Sequence, residues 1–376
     1  MPRKTFKEKG HDKKVSRLQI ESKSTEELKQ THRFISNLLE YRKTKKLETT
    51  YIGGLQKSID YNEENKIYCA YNFDGTITGR LSCGGYKAGK DQPKGVSFHT
   101  LPRIQEYNVR STCVAPPGYV FVTVDYAAME LRVLAHLARE DKMIQAFKSG
   151  DDLHWFTTEL IYEKPRDQLI KDQRQGAKET SFLTIYGGTA VALAGKLGCS
   201  IGHAQWIMDS WFKAYDKIQP YMDHVYKFIE ENKYAYSIFG RRRNLLNVKS
   251  RNRSIKQAAL RQGLNFTIQS TASDILLCAL LGIDQEFKAR NLNSRICQTV
   301  HDSGEFLVAY DELEEALGII KYYMERNPIM TNRFGVSLSV PLETEFICGK
   351  SFGDGIEYEK GELPNPKEIM EYMNAN

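Results

Sequence analysis

Apolar residues alternate with others in some stretches of this chain and recur every three or four positions elsewhere. The switch between the two periods marks its elements. Val120, Val122 and Val124 alternate with Phe121 and Thr123, which predicts a strand. Asp125 ends that run, and the apolar spacing of A-A-M-E-L-R-V-L-A-H-L then predicts a helix over residues 127–139. Pro116-Pro117-Gly118 sets a turn before the strand. Upstream, F-I-x-x-L-L predicts an amphipathic helix with Phe34, Ile35, Leu38, Leu39 and Leu47 on its apolar side. Gly53-Gly54 closes it or starts a turn. Two β-prone runs around Asp74-Gly75 predict a hairpin, and the Gly- and Lys-rich residues 83–95 a loop. Residues 141–256 read as mostly helical, broken at Gly150, Lys164-Pro165, Gly187-Gly188 and Phe239-Gly240. A long helix over 254–290 follows, then a hairpin over 295–310 turning at Asp302-Ser303-Gly304. A helix over 312–326 and a strand-like V-S-L-S-V-P-L-E-T-E complete the pattern. Sequence containing β-strands thus flanks a helical insertion of about a hundred residues, an α+β arrangement. No internal repeat is present.

A length of 376 residues has room for two to three domains, and 41% hydrophobic with 27% charged residues suits a chain that buries a core. The net charge of +6 leans toward a polyanionic partner. Seven cysteines, an odd number without C-x-x-C spacing, argue against a zinc site or a disulfide framework and for a reducing compartment. No apolar run approaches a membrane span, and no secretory h-region stands at the N-terminus. A cytoplasmic setting is therefore expected. Residues 1–29 are rich in Lys and Arg, with too few large apolar residues to fold alone. They read either as a disordered leader or as a basic arm beside nucleic acid.

Three stretches bear on chemistry. Asp125 at a strand end reads as a metal ligand or as a helix N-cap. Arg174, Lys178, Phe182 and Tyr186 sit at i+4 steps, each turning about 40° around a helix, so they form one slowly winding stripe. Two cations followed by two aromatics suit a ligand with phosphates at one end and a flat base at the other. An amphipathic helix with two core aromatics gives the same pattern. Arg261, Asn265 and Gln269 repeat the i+4 device with groups that suit minor-groove acceptors, or simply make a polar face. In Q-T-V-H-D-S-G-E-F-L-V a turn carries His301 and Asp302 between apolar strands. It is either an ordinary hairpin or a second carboxylate presented as Asp125 is.

Taken together, these stretches resemble the polymerase portion of family A DNA polymerases, the bacterial, phage and mitochondrial relatives of DNA polymerase I. Val124-Asp125-Tyr126 with Glu130-Leu131-Arg132 is similar to the first palm motif, D-Y-x-x-x-E-L-R. Arg174, Lys178, Phe182, Tyr186 and Gly187 fit the fingers motif R-x-x-x-K-x-x-x-F-x-x-x-Y-G, and Val300-His301-Asp302 the second palm motif. Thr78-Gly79-Arg80-Leu81-Ser82, Phe239-Gly240-Arg241-Arg242-Arg243 and the Arg261/Asn265/Gln269 stripe match further signatures in the same order. Leu39-Glu40-Tyr41-Arg42 through Thr50-Tyr51 resembles the end of the thumb.

The resemblance implies a right-hand polymerase with an antiparallel-sheet palm, a helical fingers insertion and a truncated helical thumb. Its divisions would be a basic arm (1–30), a thumb remnant (31–60), two palm parts (61–130 and 255–350), fingers (131–254) and a tail (351–376). It implies two Mg²⁺ ions held by Asp125, Asp302 and the Tyr126 backbone, with dNTPs and primer–template DNA as partners. Arg174, Lys178 and His154 would hold the triphosphate, Lys178 also neutralising or protonating the leaving group, while Phe182 and Tyr186 would frame the base pair. Glu130 would crowd the sugar 2′ position. Arg80, Arg261, Asn265, Gln269 and His301 would contact DNA, and Arg241, Arg242 and Arg243, with Lys249, Arg251 and Arg253 nearby, its phosphates.

Three departures qualify the match. The family's Glu after the second palm Asp is Ser303 here, with Glu305 two positions on as a substitute on the same strand face. The family's N-L-Q-N-I-P segment corresponds to Ser97-Phe98-His99-Thr100-Leu101-Pro102 behind an inserted Gly/Lys loop. No counterpart of the exonuclease domain, and little of the thumb, stands upstream of residue 34, so no proofreading is expected from this chain and a separate exonuclease, thumb or processivity chain would be its partner. A single-subunit RNA polymerase is the related alternative, disfavoured by Glu130. A non-catalytic primer–template binding subunit is the alternative of another class, supported by Ser303.

Overall fold

The computed structural model describes residues 5–8, 11–14, 33–60, 66–73, 75–84, 96–102 and 108–375. Most of the basic arm, Asp74 and residues 85–95 of the Gly/Lys-rich loop lie outside them. Within the arm, β1 (Thr5–Glu8) and β2 (His11–Lys14) pair antiparallel. The helix expected after Phe34 forms as α1 (Arg33–Lys46), but it buries no residue, and Phe34 is exposed. Gly53-Gly54 does not end the helical run: a π-helical turn, Leu47–Ile52, leads straight into α2 (Gly53–Asp60). The hairpin of β3 (Ala70–Asn72) and β4 (Ser82–Gly84) is present, though its connection is a long one containing Gly79-Arg80 rather than a two-residue turn at Asp74-Gly75.

The central element is β5 (Tyr119–Tyr126). It is followed by α3 (Met129–Ala138), α4 (Asp141–Lys148), α5 (Leu153–Tyr162), α6 (Lys171–Ile185), α7 (Ala190–Leu197), α8 (Ile201–Ala214) and α9 (Ile218–Asn232). Where the sequence pattern reads as helix up to Phe239-Gly240, a short ribbon intervenes, β6 (Tyr234–Tyr236) with β7 (Arg242–Asn244). Helix α10 (Arg253–Ala289) then crosses the molecule, and β8 (Arg295–Val300), β9 (Ser303–Ala309), α11 (Leu313–Arg326) and α12 (Pro328–Phe334) follow. The chain ends in β10 (Thr344–Ser351), β11 (Asp354–Tyr358) and α13 (Pro366–Ala375). The strand-like run at 336–345 is mostly irregular; its strand starts eight residues late, at Thr344. Pro341 accounts for part of this, since it lacks the N–H a ladder needs.

Five strands make one antiparallel sheet in the order β11-β10-β5-β9-β8. Alternation divides β5 between two cores. Val120, Val122 and Val124 join Phe306, Val308 and the buried face of α10. Phe121 points the other way, to Phe98, Val109 and Phe352. By length and apolar composition α10 could cross a membrane, contrary to the reading that no run approaches a span. Its apolar window is 83% buried inside the protein, as befits the central core helix of a large domain.

Candidate active site

The period-2 geometry of β5 that buries its valines turns Thr123 and Asp125 toward the other face, where Asp125 is exposed. Asp125 is not a helix cap. The residue entering α3 is Ala128, left-handed at φ 53° and without any side-chain cap, so the Asp125 carboxylate stands on the strand and not at the helix start. Its ladder partners are Ser303 on β9 and Glu345 on β10, and Thr123 faces Glu305 on β9. Directly opposed residues share a face, so Asp125, Ser303, Glu345, Thr123 and Glu305 all belong to the same side of the sheet.

Asp302 lies one residue before β9. The β8–β9 turn consists of His301 and Asp302, with His301 at φ 58°, while Ser303 and Gly304 already belong to the strand. The turn is thus earlier than the Asp302-Ser303-Gly304 position read from sequence. One carboxylate accordingly comes from β5 and the other from the turn that enters its neighbour β9.

An arginine holds this turn. Arg80 Nη2 lies 2.9 Å from each oxygen of Asp302 and 2.9 Å from Glu130 Oε1. Gly79, at φ 78°, brings Arg80 there, with its carbonyl held by Ser273 Oγ of α10 at 3.1 Å. Glu130 is buried in the first turn of α3 and accepts from Tyr186 Oη at 2.6 Å, and Gln269 Nε2 donates to Tyr186 Oη at 3.2 Å. Burial, reinforced by Glu130, pushes the Tyr186 phenol up to about 12, so it stays protonated and donates. One polar chain therefore runs from the palm-like turn through α3 to the end of α6 and the face of α10. Arg132, the third residue of the same sequence motif, serves the fold instead. It is buried, paired with Glu343 at 2.5 Å and stacked on Phe147 at 4.4 Å, which ties α3 to the segment before β10.

The α6 stripe is as the spacing predicts. Arg174, Lys178 and Phe182 are partly exposed on one face, and Tyr186 is the C-cap. Gly187 takes φ 63°, and a Cβ there would lie 2.7 Å from Arg261 Cγ, so only glycine lets α6 end against α10. Sequence reasoning missed what fixes Arg174. Asp152 caps α5 by accepting from the His154 and Trp155 amides at 2.8 and 3.1 Å, and its other oxygen takes Arg174 Nη2 at 2.6 Å. The signal was present as an Asp just before an apolar helical run. His154 lies beside Phe182, ring centroids 6.0 Å apart. Burial, with Arg174 and Lys178 adding to it, lowers its pKa to about 4 against the opposing pull of Asp152.

Arg261, Asn265 and Gln269 are partly exposed on a segment of α10 that, exposed Gln262 aside, is otherwise buried, so the stripe is a presented face. His301 stands by His99, ring centroids 5.2 Å apart, and His99 Nε2 is 2.9 Å from Thr299 O. His99 thereby enters the site through the segment aligned with N-L-Q-N-I-P. The three consecutive arginines are engaged within the protein. Arg241 pairs with Asp274 at 2.7 Å, Arg242 lies 3.8 Å over the Tyr234 ring, and Arg243 donates to Gln262 Oε1 at 3.0 Å. Lys249, Arg251 and Arg253 are exposed nearby.

The donor set suits a hard cation: the exposed carboxylate of Asp125 at the end of β5 and that of Asp302 in the adjoining turn, the latter bound by a guanidinium. The Tyr126 side chain is buried with its hydroxyl donating to Met324 O at 2.8 Å, so only its backbone is available to the cleft. Among the described residues no group of three or more His, Cys, Asp or Glu is arranged for a metal. Ser303 stands where the resemblance expects a further carboxylate. Glu305 does not fill the gap directly. It is fully buried, with its oxygens accepting from Thr123 Oγ1 at 2.5 Å and Ser303 Oγ at 2.7 Å, and burial pushes its pKa up to about 7.

The model of DNA polymerase family A matches residues 3–354. The chain is 30% identical over 322 residues to DNA polymerase I of Caldicellulosiruptor bescii, covering 85% of this chain and 36% of that protein. It is 32% identical over 326 residues to DNA polymerase I of Chloroflexus aurantiacus, covering 86% and 33%. Among solved structures, it resembles the POL domain of Pol1 from M. smegmatis in complex with DNA primer-template and dNTP. That likeness has a TM-score of 0.77 at 29% identity and covers 93% of this chain and 58% of that one. The chain spans about a third of the length of the curated relatives it matches.

Proposed function

Because the chain belongs to DNA polymerase family A, we propose that it is a template-directed DNA polymerase that adds dNTPs to a primer 3′-OH. The observation that carries the reading is the continuity of the site. Asp125 lies at the end of β5 and Asp302 in the turn that enters its neighbour β9, and the chain Asp302–Arg80–Glu130–Tyr186 ties that turn to the helix bearing Arg174 and Lys178. In this reading residues 61–130 and 255–350 form the palm and 131–254 the fingers. Asp125, Asp302 and the Tyr126 carbonyl would hold two Mg²⁺ ions, which supply activation of the 3′-OH and charge stabilisation at the pyrophosphate. Arg174 and Lys178 attract the triphosphate, Arg174 being fixed by Asp152 over the Trp155 ring at 5.7 Å. His154, neutral at physiological pH, contributes hydrogen bonding rather than charge. Arg80 must exchange its carboxylate partners when a cation reaches Asp302, which frees its guanidinium for the primer–template minor groove. The Arg261/Asn265/Gln269 face continues that groove contact.

The test is extension of a labelled primer on a template with Mg²⁺ and dNTPs. Growth of the primer in template order is expected, without shortening of a mismatched 3′ end. Retarded DNA in a gel with no added nucleotide would instead favour the reading of a non-catalytic binding subunit, for which Ser303 is the supporting observation.

A further inference from the structure

On the catalytic face of the sheet this chemistry leaves Glu305 unused, a carboxylate that is buried where Glu345, opposite Asp125 on β10, is exposed. Glu305 is completely buried, and hydroxyls hold it at both ends: Thr123 Oγ1 at 2.5 Å on Oε2 and Ser303 Oγ at 2.7 Å on Oε1. Thr123 fixes one oxygen, so the other stays directed at Ser303. Ser303 is both the neighbour of Asp302 and the ladder partner of Asp125. Its hydroxyl has one proton and two acceptors within reach, Glu305 Oε1 and, at 2.9 Å, Val300 O. With Glu305 ionised the proton goes to the carboxylate, and the lone pairs of Oγ remain for a donor in the cleft. Residues two apart on a strand are only about 7 Å apart, so the Glu305 charge sits close behind the two aspartates.

We propose that Glu305 is a positioning residue for the divalent cations, its carboxylate acting through Ser303 Oγ to give the Asp125–Asp302 centre the negative charge that Ser303 itself lacks. The inference rests on the reading of Asp125 and Asp302 as cation ligands. A carboxylate that orients and polarises a neighbouring group one step from a metal strengthens binding without touching the ion. The arrangement also explains why a carboxylate is tolerated in a wholly buried position. The dication and Glu305 each offset the cost of the other.

The test is Mn²⁺ binding to the whole chain, read from the electron paramagnetic resonance of free Mn²⁺ at pH 8, with thermal melting in parallel. Glu305→Gln, which keeps shape and removes charge, should weaken Mn²⁺ binding by about tenfold or more, as removal of an outer partner commonly does. Ser303→Ala, which leaves the buried carboxylate in place but cuts the relay, should do the same. Ser303→Glu combined with Glu305→Gln should restore affinity. Asp302→Ala reports on the underlying reading. Should it lose the site while Glu305→Gln and Ser303→Ala bind as the parent does, Glu305 is only a satisfied core residue and the proposal is overturned. If Asp302→Ala also binds as the parent does, the assignment of the cation ligands itself falls. Where Glu305→Gln does not fold, Ser303→Ala decides.

Discussion

At the scale of the residue, Asp125 shows how a strand end is read. An Asp before a helical run serves equally as a cap or as a ligand, and the choice turns on where the helix starts. It starts at Met129 after a left-handed Ala128, three residues too late for Asp125 to cap it. Asp125→Ala and Asp302→Ala are each expected to abolish primer extension while leaving gel-shift affinity for duplex within a few-fold; substantial extension by either variant would contradict their role. Glu130 is held from both sides, by Arg80 and by Tyr186. Glu130→Ala should therefore admit ribonucleotides, measured as the ratio of kcat/KM for dNTP and rNTP on one template, and should free Tyr186 as well. His154 sets a pH dependence. Its pKa is lowered on folding from the ordinary 6.5 to about 4, so its contribution to stability is full above pH 6.5 and is lost as pH falls toward 4. The full loss is at most about 3 kcal/mol. His154→Gln should flatten the melting-temperature profile between pH 6.5 and 4, and an unchanged slope would assign that loss to other buried histidines.

Elements behaved as their periodicity dictated where one face decides everything. The i+4 stripes on α6 and α10 needed only helical geometry, and both are presented as expected. Their meeting point is not visible in either stripe alone. Gly187→Ala places a methyl 2.7 Å from Arg261 Cγ in a left-handed conformation, at a cost of about 1–2 kcal/mol. The expected outcome is a lower melting temperature together with a raised KM for dNTP, as α6 is displaced from α10. Loss of stability with an unaltered KM would show that the contact is structural only. Other elements escaped the pattern for identifiable reasons. The β6–β7 ribbon is two three-residue strands, too short for alternation to register inside a helical region. Helix α1 has the apolar spacing of a packed helix yet buries none of its residues among those described.

Over the whole molecule, charge placement is more informative than charge total. The net charge of +6 only suggests a polyanionic partner. Lys249, Arg251 and Arg253 are exposed, whereas Arg241, Arg242 and Arg243 already have partners within the chain. Replacing the exposed three by Ala should lower the slope of log affinity against log salt by about 0.9 for each that meets a phosphate. Arg241→Ala should instead lower stability, since it strands Asp274 in the interior of α10. A salt slope untouched by the triple replacement would move the DNA path away from this edge.

The sequence by itself determined the strand that ends in Asp125, the two helical stripes and the order of the motifs, because each depends on periodicity or on residues a few positions apart. Tertiary structure alone decided which side chains meet: Arg80 with Asp302, 222 positions away, Arg174 with Asp152, and Thr123 with Glu305. It also decided that Glu305, sharing the strand face of Asp125 and Ser303, is covered rather than presented to the cleft. A face follows from alternation, but burial depends on what the rest of the chain lays across it. That is a property of packing, which no local spacing contains.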